Sequence, residues 1–167
     1  MDALISPCGK YRYWLTRNIE SLFPSSSCII WVMLNPSTAD ASLDDPTIRK
    51  CIGFTKRLRC KKLVVINLFA FRATHPKELK KAEDPFGPDN EDWQHSILTR
   101  MADTPNRIIA AWGIHGTLLN AGDDFKSILT EKNKPAWCLG LTKNGQPKHP
   151  LMVPYDTPLV PLTESTQ

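Results

Sequence analysis

Cys28 to Leu34 is an unbroken apolar run, Cys-Ile-Ile-Trp-Val-Met-Leu, that ends abruptly in Asn35-Pro36-Ser37-Thr38-Ala39-Asp40. The run is too short for a core helix, and no polar residue within it could mark a solvated face. That combination predicts a strand in the middle of a parallel sheet, covered on both sides. Asp44-Asp45-Pro46-Thr47 follows, and Asp45 before Pro46 predicts an N-cap and a first helical residue. Strand, polar loop and helix in that order put the loop at the carboxyl end of a buried strand. Open α/β sheets bind their ligands at that edge.

The same unit recurs along the chain. Residues 10–19, rich in aromatic and β-branched types, predict an antiparallel N-terminal edge strand that ends at Phe23-Pro24 and a serine run. Ile48, Cys51, Ile52, Thr55 and Leu58 fall at helical spacing after Pro46. Leu63–Ile66 is a second buried strand closed by Asn67. The charged, Pro-rich stretch from His75 to Asn90 holds one helical turn near Pro76–Ala82, and Asp89-Asn90 feeds a helix with Trp93, Ile97, Leu98 and Met101 as its stripe. Ile108–Trp112 predicts a third strand, followed by a helix split at Gly122. Residues 135–141 predict a fourth strand, and the Pro-rich tail from Leu151 is expected to be extended with few backbone bonds. Four strand–helix alternations predict an α/β three-layer sandwich with a central four-stranded parallel sheet.

The chain has 167 residues, 41% of them apolar and 23% charged, and is expected to form a single α/β domain over residues 1–167. A net charge of +4 permits a nucleic-acid partner without requiring one. Five cysteines stand singly with no C-x-x-C, which predicts reduced thiols, no metal and a cytoplasmic location. No apolar run reaches membrane-spanning length and no targeting segment is evident. The phosphate-binding G-x-x-x-x-G-K-[ST], the dinucleotide G-x-G-x-x-G and the hydrolase G-x-S-x-G are all missing from the sequence.

If the alternation holds, the carboxyl edge collects Asn35, Asp40, Asn67, Arg72, His115 and His149. Asn35-Pro36-Ser37 reads equally as an Asx turn. Asp44 and Asp45 read as caps, which leaves Asp40 as the better working carboxylate. Asn67 is harder to place on structural grounds alone, because a buried amide needs partners for one oxygen and two N–H groups. It either locks its own loop or reads the donor–acceptor edge of a planar ligand. His115 sits between Gly113 and Gly116 beside a predicted helix start, and His149-Pro150 lies in a Pro/Gly/Lys loop with no packing reason for a histidine.

Asn-Pro after the first buried strand, Asn closing the second, Trp-Gly closing the third and His-Pro past the fourth resemble the uracil-DNA glycosylase superfamily. The strings LNPSTAD, DDPT, NLFAFRAT and GPDN also resemble a family of small bacterial and phage proteins with no established activity. The first resemblance implies a glycosylase-like fold and hydrolysis of a base–sugar bond in DNA or a nucleotide, with no cofactor. Under it, Asn35 holds the attacking water, Asp40 serves as general base and His149 donates to the leaving base. Asn67 reads the base edge beside Pro36, Ser37 and His115, while Arg72, Lys143 and Lys148 contact phosphate. The alternative is a non-catalytic nucleotide- or nucleic-acid-binding protein using the same pocket.

Overall fold

The computed structural model describes residues 2–20, 27–37, 39–100 and 106–162. The expected strand end at Phe23-Pro24 with the adjoining serines, and Met101 of the third helical stripe, lie outside them.

Among the described residues one seven-stranded sheet organises the chain. Its strands are β1 (Asp2–Ile5), β2 (Arg12–Asn18), β3 (Cys28–Met33), β4 (Lys62–Asn67), β5 (Arg107–Ala110), β6 (Ala136–Cys138) and β7 (Val160–Pro161). The order across the sheet is β1-β2-β4-β3-β5-β6-β7. β3 runs parallel to β4 and β5, and β5 is parallel to β6. Every residue of β3 is buried, as its unbroken apolar composition requires of a central strand.

Two expectations about the flanks need correction. The N-terminal strand does not form the edge: β2 lies between β4 and β1, antiparallel to both. The tail also contributes β7, antiparallel to β6, with Leu162 N–H donating to Ala136 O at 2.8 Å. Both unforeseen strands are short, and one contains a proline that cannot donate to a ladder.

Helices cover both faces of the sheet. Ile30 and Val32 join Ile66, Ala110, Leu98 of α3 (Asn90–Arg100), and Phe125 and Leu129 of α4 (Ala121–Glu131) in one core. Ile29, Trp31 and Met33 join Val65, Ile109, and Ile48, Cys51 and Phe54 of α1 (Pro46–Arg57) in the other. A short helical turn, α2 (Pro76–Leu79), precedes α3. The α1 start is as expected: Asp45 accepts from Ile48 N–H at 2.8 Å, with Pro46 first in the helix. The Trp31 indole N–H donates to Thr55 Oγ1 at 3.1 Å, which ties α1 to the central strand.

The break before α4 is not at Gly122. It falls at Leu119 and Asn120, which have φ of 50° and 60° after a short 3₁₀ stretch from Ile114. Gly122 and Gly116 instead make room for the Trp112 ring and its bond to Gln146. A Cβ on Gly116 would lie 2.1 Å from Trp112 Cδ1.

A bulge in β2 decides where Arg12 points. Leu4 pairs with Trp14 and Ile5 with Arg12, so Tyr13 has no partner and the side-chain alternation shifts by one. Leu15 and Arg12 consequently share the α1 side of the sheet, whereas the Tyr13 hydroxyl meets Asp89 beside α3.

Candidate functional site

The carboxyl ends of β3, β4 and β5 open into a cavity of about 680 Å³. Met33, Leu34, Ile48, Val65 and Trp112 give it apolar walls, and Asn35, Ser37, Asn67, His115, Lys148 and His149 all line it. Pro36, Asp40 and Arg72 do not. Pro36 is buried behind the loop, where its carbonyl accepts from Ala73 N–H at 2.9 Å. Arg72 turns away and donates to Gly9 O at 3.2 Å.

Asn67 lies at the cavity floor and is 0% exposed. Its main-chain oxygen accepts from Gln94 at 2.7 Å and from Asn90 at 3.3 Å, two polar residues of α3 that face the sheet between the apolar ones. Its side-chain Oδ1 and Nδ2 have no partner, and solvent reaches neither. The loop is therefore held by the main chain, and the amide is left over. A buried amide with both ends unpaired is destabilising by about 1–3 kcal/mol per group.

Asn35 is arranged differently. Its Nδ2 donates to Pro36 O at 2.9 Å and Ala73 O at 2.8 Å, which fixes the amide orientation and leaves Oδ1 as the end available to a water or ligand. His149 precedes the turn Pro150–Met152, and its Nδ1 accepts from Leu151 N–H at 3.3 Å. That bond places the imidazole proton on Nε2. Burial holds His149 below the ordinary imidazole pKa, against the opposing pull of Asp45, so the ring is a neutral donor at pH 7. Gly113, with φ of 76°, brings the exit of β5 against this histidine; a Cβ there would sit 3.3 Å from His149 Cβ.

Asp40 lies outside the cavity lining and is held by its own loop. Its Oδ1 accepts from Ser42 N–H and Leu43 N–H, each at 2.8 Å, and these bonds hold its pKa below the usual carboxylate range. The carboxylate on the cavity wall is Asp45, which caps α1 with one oxygen and is the acidic group felt by both Arg12 and His149. The sequence identified Asp45 as a cap; nothing in it showed that a cap at this edge also faces the cavity.

Arg12 is the polar residue of the wall that no local sequence pattern reveals. It is 2% exposed, donates Nη1–H to Ala39 O at 2.7 Å, and keeps Nε without a partner. Burial pushes its pKa down to about 10, with Asp45 opposing, so it remains charged. Arg17 anchors the loop outside the cavity, through Asp44 at 2.8 Å and Asp40 O at 2.6 Å. His115 and Lys148 are exposed at the mouth beside Ile114, Leu151 and Met152, and Lys143 is exposed and not part of the lining. Among the described residues no group of three or more His, Cys, Asp or Glu is placed to hold a metal, and no helix is long and apolar enough to cross a membrane.

The fold and site define an α/β protein with a deep, mostly apolar cavity at the carboxyl edge of its parallel strands and a few convergent polar groups. The chain belongs to the family described as "Protein of unknown function (DUF1643)", whose model matches residues 12–151. Nothing among the curated proteins or the solved structures matches it.

Proposed function

We propose that the cavity binds a nucleobase, in DNA or in a nucleotide, and that the protein hydrolyses the bond between base and sugar. The observation that carries this reading is the Asn67 amide, fully buried at the cavity floor with donor and acceptor both unpaired. Side by side, one donor and one acceptor match the edge of a heteroaromatic ring. The apolar walls suit the ring faces, and a base in a duplex would have to be flipped out to enter. The resemblance of Asn35-Pro36, Asn67 and His149-Pro150 to the uracil-DNA glycosylase superfamily supports the same reading, as does the arrival of all three segments at one sheet edge.

The chemistry follows from the roles left open to each group. Water bonds to the sugar carbon as the carbon–nitrogen bond breaks, and that bond's electron pair leaves with the base. Asn35 Oδ1 and the second oxygen of Asp45 hold the water, and Asp45 takes its proton. The neutral His149 Nε2–H donates to the departing base, whose negative charge grows toward the transition state. Asp45 thus takes the part that Asp40 was expected to play. Phosphate contacts fall to Lys148 and His115 at the mouth.

The test is to incubate the protein with nucleosides and with single-stranded oligonucleotides bearing each common and deaminated base, and to measure free base by chromatography. Release by the wild type and none by Asn67→Ala is expected. Binding without release would favour the non-catalytic alternative, and absence of both would end the reading.

A further inference from the structure

An amide with neither end held by the protein cannot by itself choose between two kinds of ring edge. Turned one way, Asn67 gives Nδ2–H to a ring carbonyl and accepts the neighbouring ring N–H at Oδ1. Turned the other way, it accepts an amino N–H and donates to a bare ring nitrogen. A protein normally fixes such a choice by bonding one end of the amide, but here both ends are free and the terminal torsion is broad. A second group has to break the tie.

Arg12 has the chemistry to do so. Guanidinium is a donor at every nitrogen and an acceptor at none. This one is buried on the cavity wall, bonded to a single carbonyl through Nη1, with Nε unpaired. It lines the same cavity as Asn67 from the neighbouring strand: β2 is next to β4, Arg12 N–H donates to Ala70 O at 2.9 Å, and Asn67 is the last residue of β4. The β2 bulge turns this side chain to the cavity, and without it the residue would face α3.

We propose that Arg12 is the specificity-determining residue of the cavity, a fixed donor that selects a ring with a carbonyl oxygen at its buried edge over one with an amino group there. The proposal rests on the reading of the cavity as a nucleobase site. An amino group would point its own N–H toward the guanidinium and leave both donors unpaired, a penalty that a carbonyl avoids. A phosphate is the other oxygen-rich occupant an arginine could take. Asp45 argues against it, because a dianion beside Arg12 would also face that carboxylate, whereas a carbonyl is neutral.

The experiment compares affinities for uridine against cytidine and inosine against adenosine, pairs in which a carbonyl replaces an amino group. Wild type, Arg12→Met and Arg12→Lys are titrated, each with a melting curve. The wild type should prefer the oxo member of each pair by roughly 10- to 100-fold. Arg12→Met should bring that ratio close to one while keeping cytidine and adenosine affinity. Should Arg12→Met not fold, Arg12→Lys carries the test, since it keeps charge but loses the fork and should lower the ratio several-fold. A loss shared equally by both members of each pair would mean a merely structural arginine and overturn the proposal. A wild type without oxo preference would do the same, as would inorganic phosphate displacing nucleosides from wild type but not from Arg12→Met. If the wild type binds none of the four, the nucleobase reading falls, and this proposal with it.

Discussion

Replacing Asn67 by Leu should make the protein more stable and leave it unable to bind its ligand. The side chain is 0% exposed and both its polar atoms are unpaired, so the folded state carries two desolvated groups that the unfolded chain hydrates. At about 1 kcal/mol each, the low end for a buried unsatisfied group, their removal stabilises by about 2 kcal/mol. Leucine is close in length to asparagine, and the loop keeps its main-chain bonds to Gln94 and Asn90. For a domain of this size the gain corresponds to a rise in Tm of roughly 4–8 °C. Thermal and urea unfolding of both proteins measure it, alongside titration with nucleosides. A variant destabilised by about 1–3 kcal/mol would show that Asn67 has protein partners holding its loop, and would refute the assignment of the amide to a ligand.

The other predictions concern neighbouring groups. Asp45→Asn retains a good N-cap and should change stability by a few tenths of a kcal/mol, yet lower base release by roughly 100-fold or more, whereas Asp40→Asn should leave release unchanged; both are read from turnover and urea curves. Burial keeps the folded-state pKa of His149 below its unfolded value, so the unfolded chain takes up this proton first as pH falls. Its contribution is full above the ordinary imidazole pKa of about 6.5 and is lost as pH drops through that value toward the lower folded one. Urea unfolding between about pH 7.5 and 5.5 should therefore show a steeper loss for wild type than for His149→Gln. Gly116→Ala would set a methyl 2.1 Å from Trp112 Cδ1 and 2.6 Å from Gln146 Oε1, and should lower stability by about 1–3 kcal/mol in thermal melts.

Much of the frame was legible because it is written in local pattern. The unbroken run at Cys28 marked a central strand, Asp45-Pro46 marked a helix start, and an asparagine closing a buried strand stood out because apolar neighbours supply it no partners. The segments that escaped are those whose placement depends on distant ones. β1 and β7 are too short to carry a pattern and exist because a neighbouring strand offers free backbone groups. The polar α3 residues Asn90 and Gln94 interrupt an expected apolar stripe because they serve the Asn67 carbonyl.

The site was divided in the same way. Asn35, Asn67 and His149 could be named because strand ends in an alternating α/β chain lead to one edge. Asp40 looked free only because the bonds that occupy it, from Ser42 and Leu43, form within a turn that a sequence does not display. Arg12 was hidden more thoroughly, since one extra residue in a strand reverses the face of everything before it.

The most direct test of the nucleobase-binding claim watches the Asn67 side chain itself. In a ¹⁵N-labelled sample, the Nδ2 amide signals assigned by comparison with Asn67→Leu are followed while nucleosides are added. Both proton signals should move as the ligand saturates the cavity, because the ring edge supplies the missing partner. Nucleoside binding that shifts Lys148 and His115 at the mouth but leaves the Asn67 amide unmoved would contradict the account.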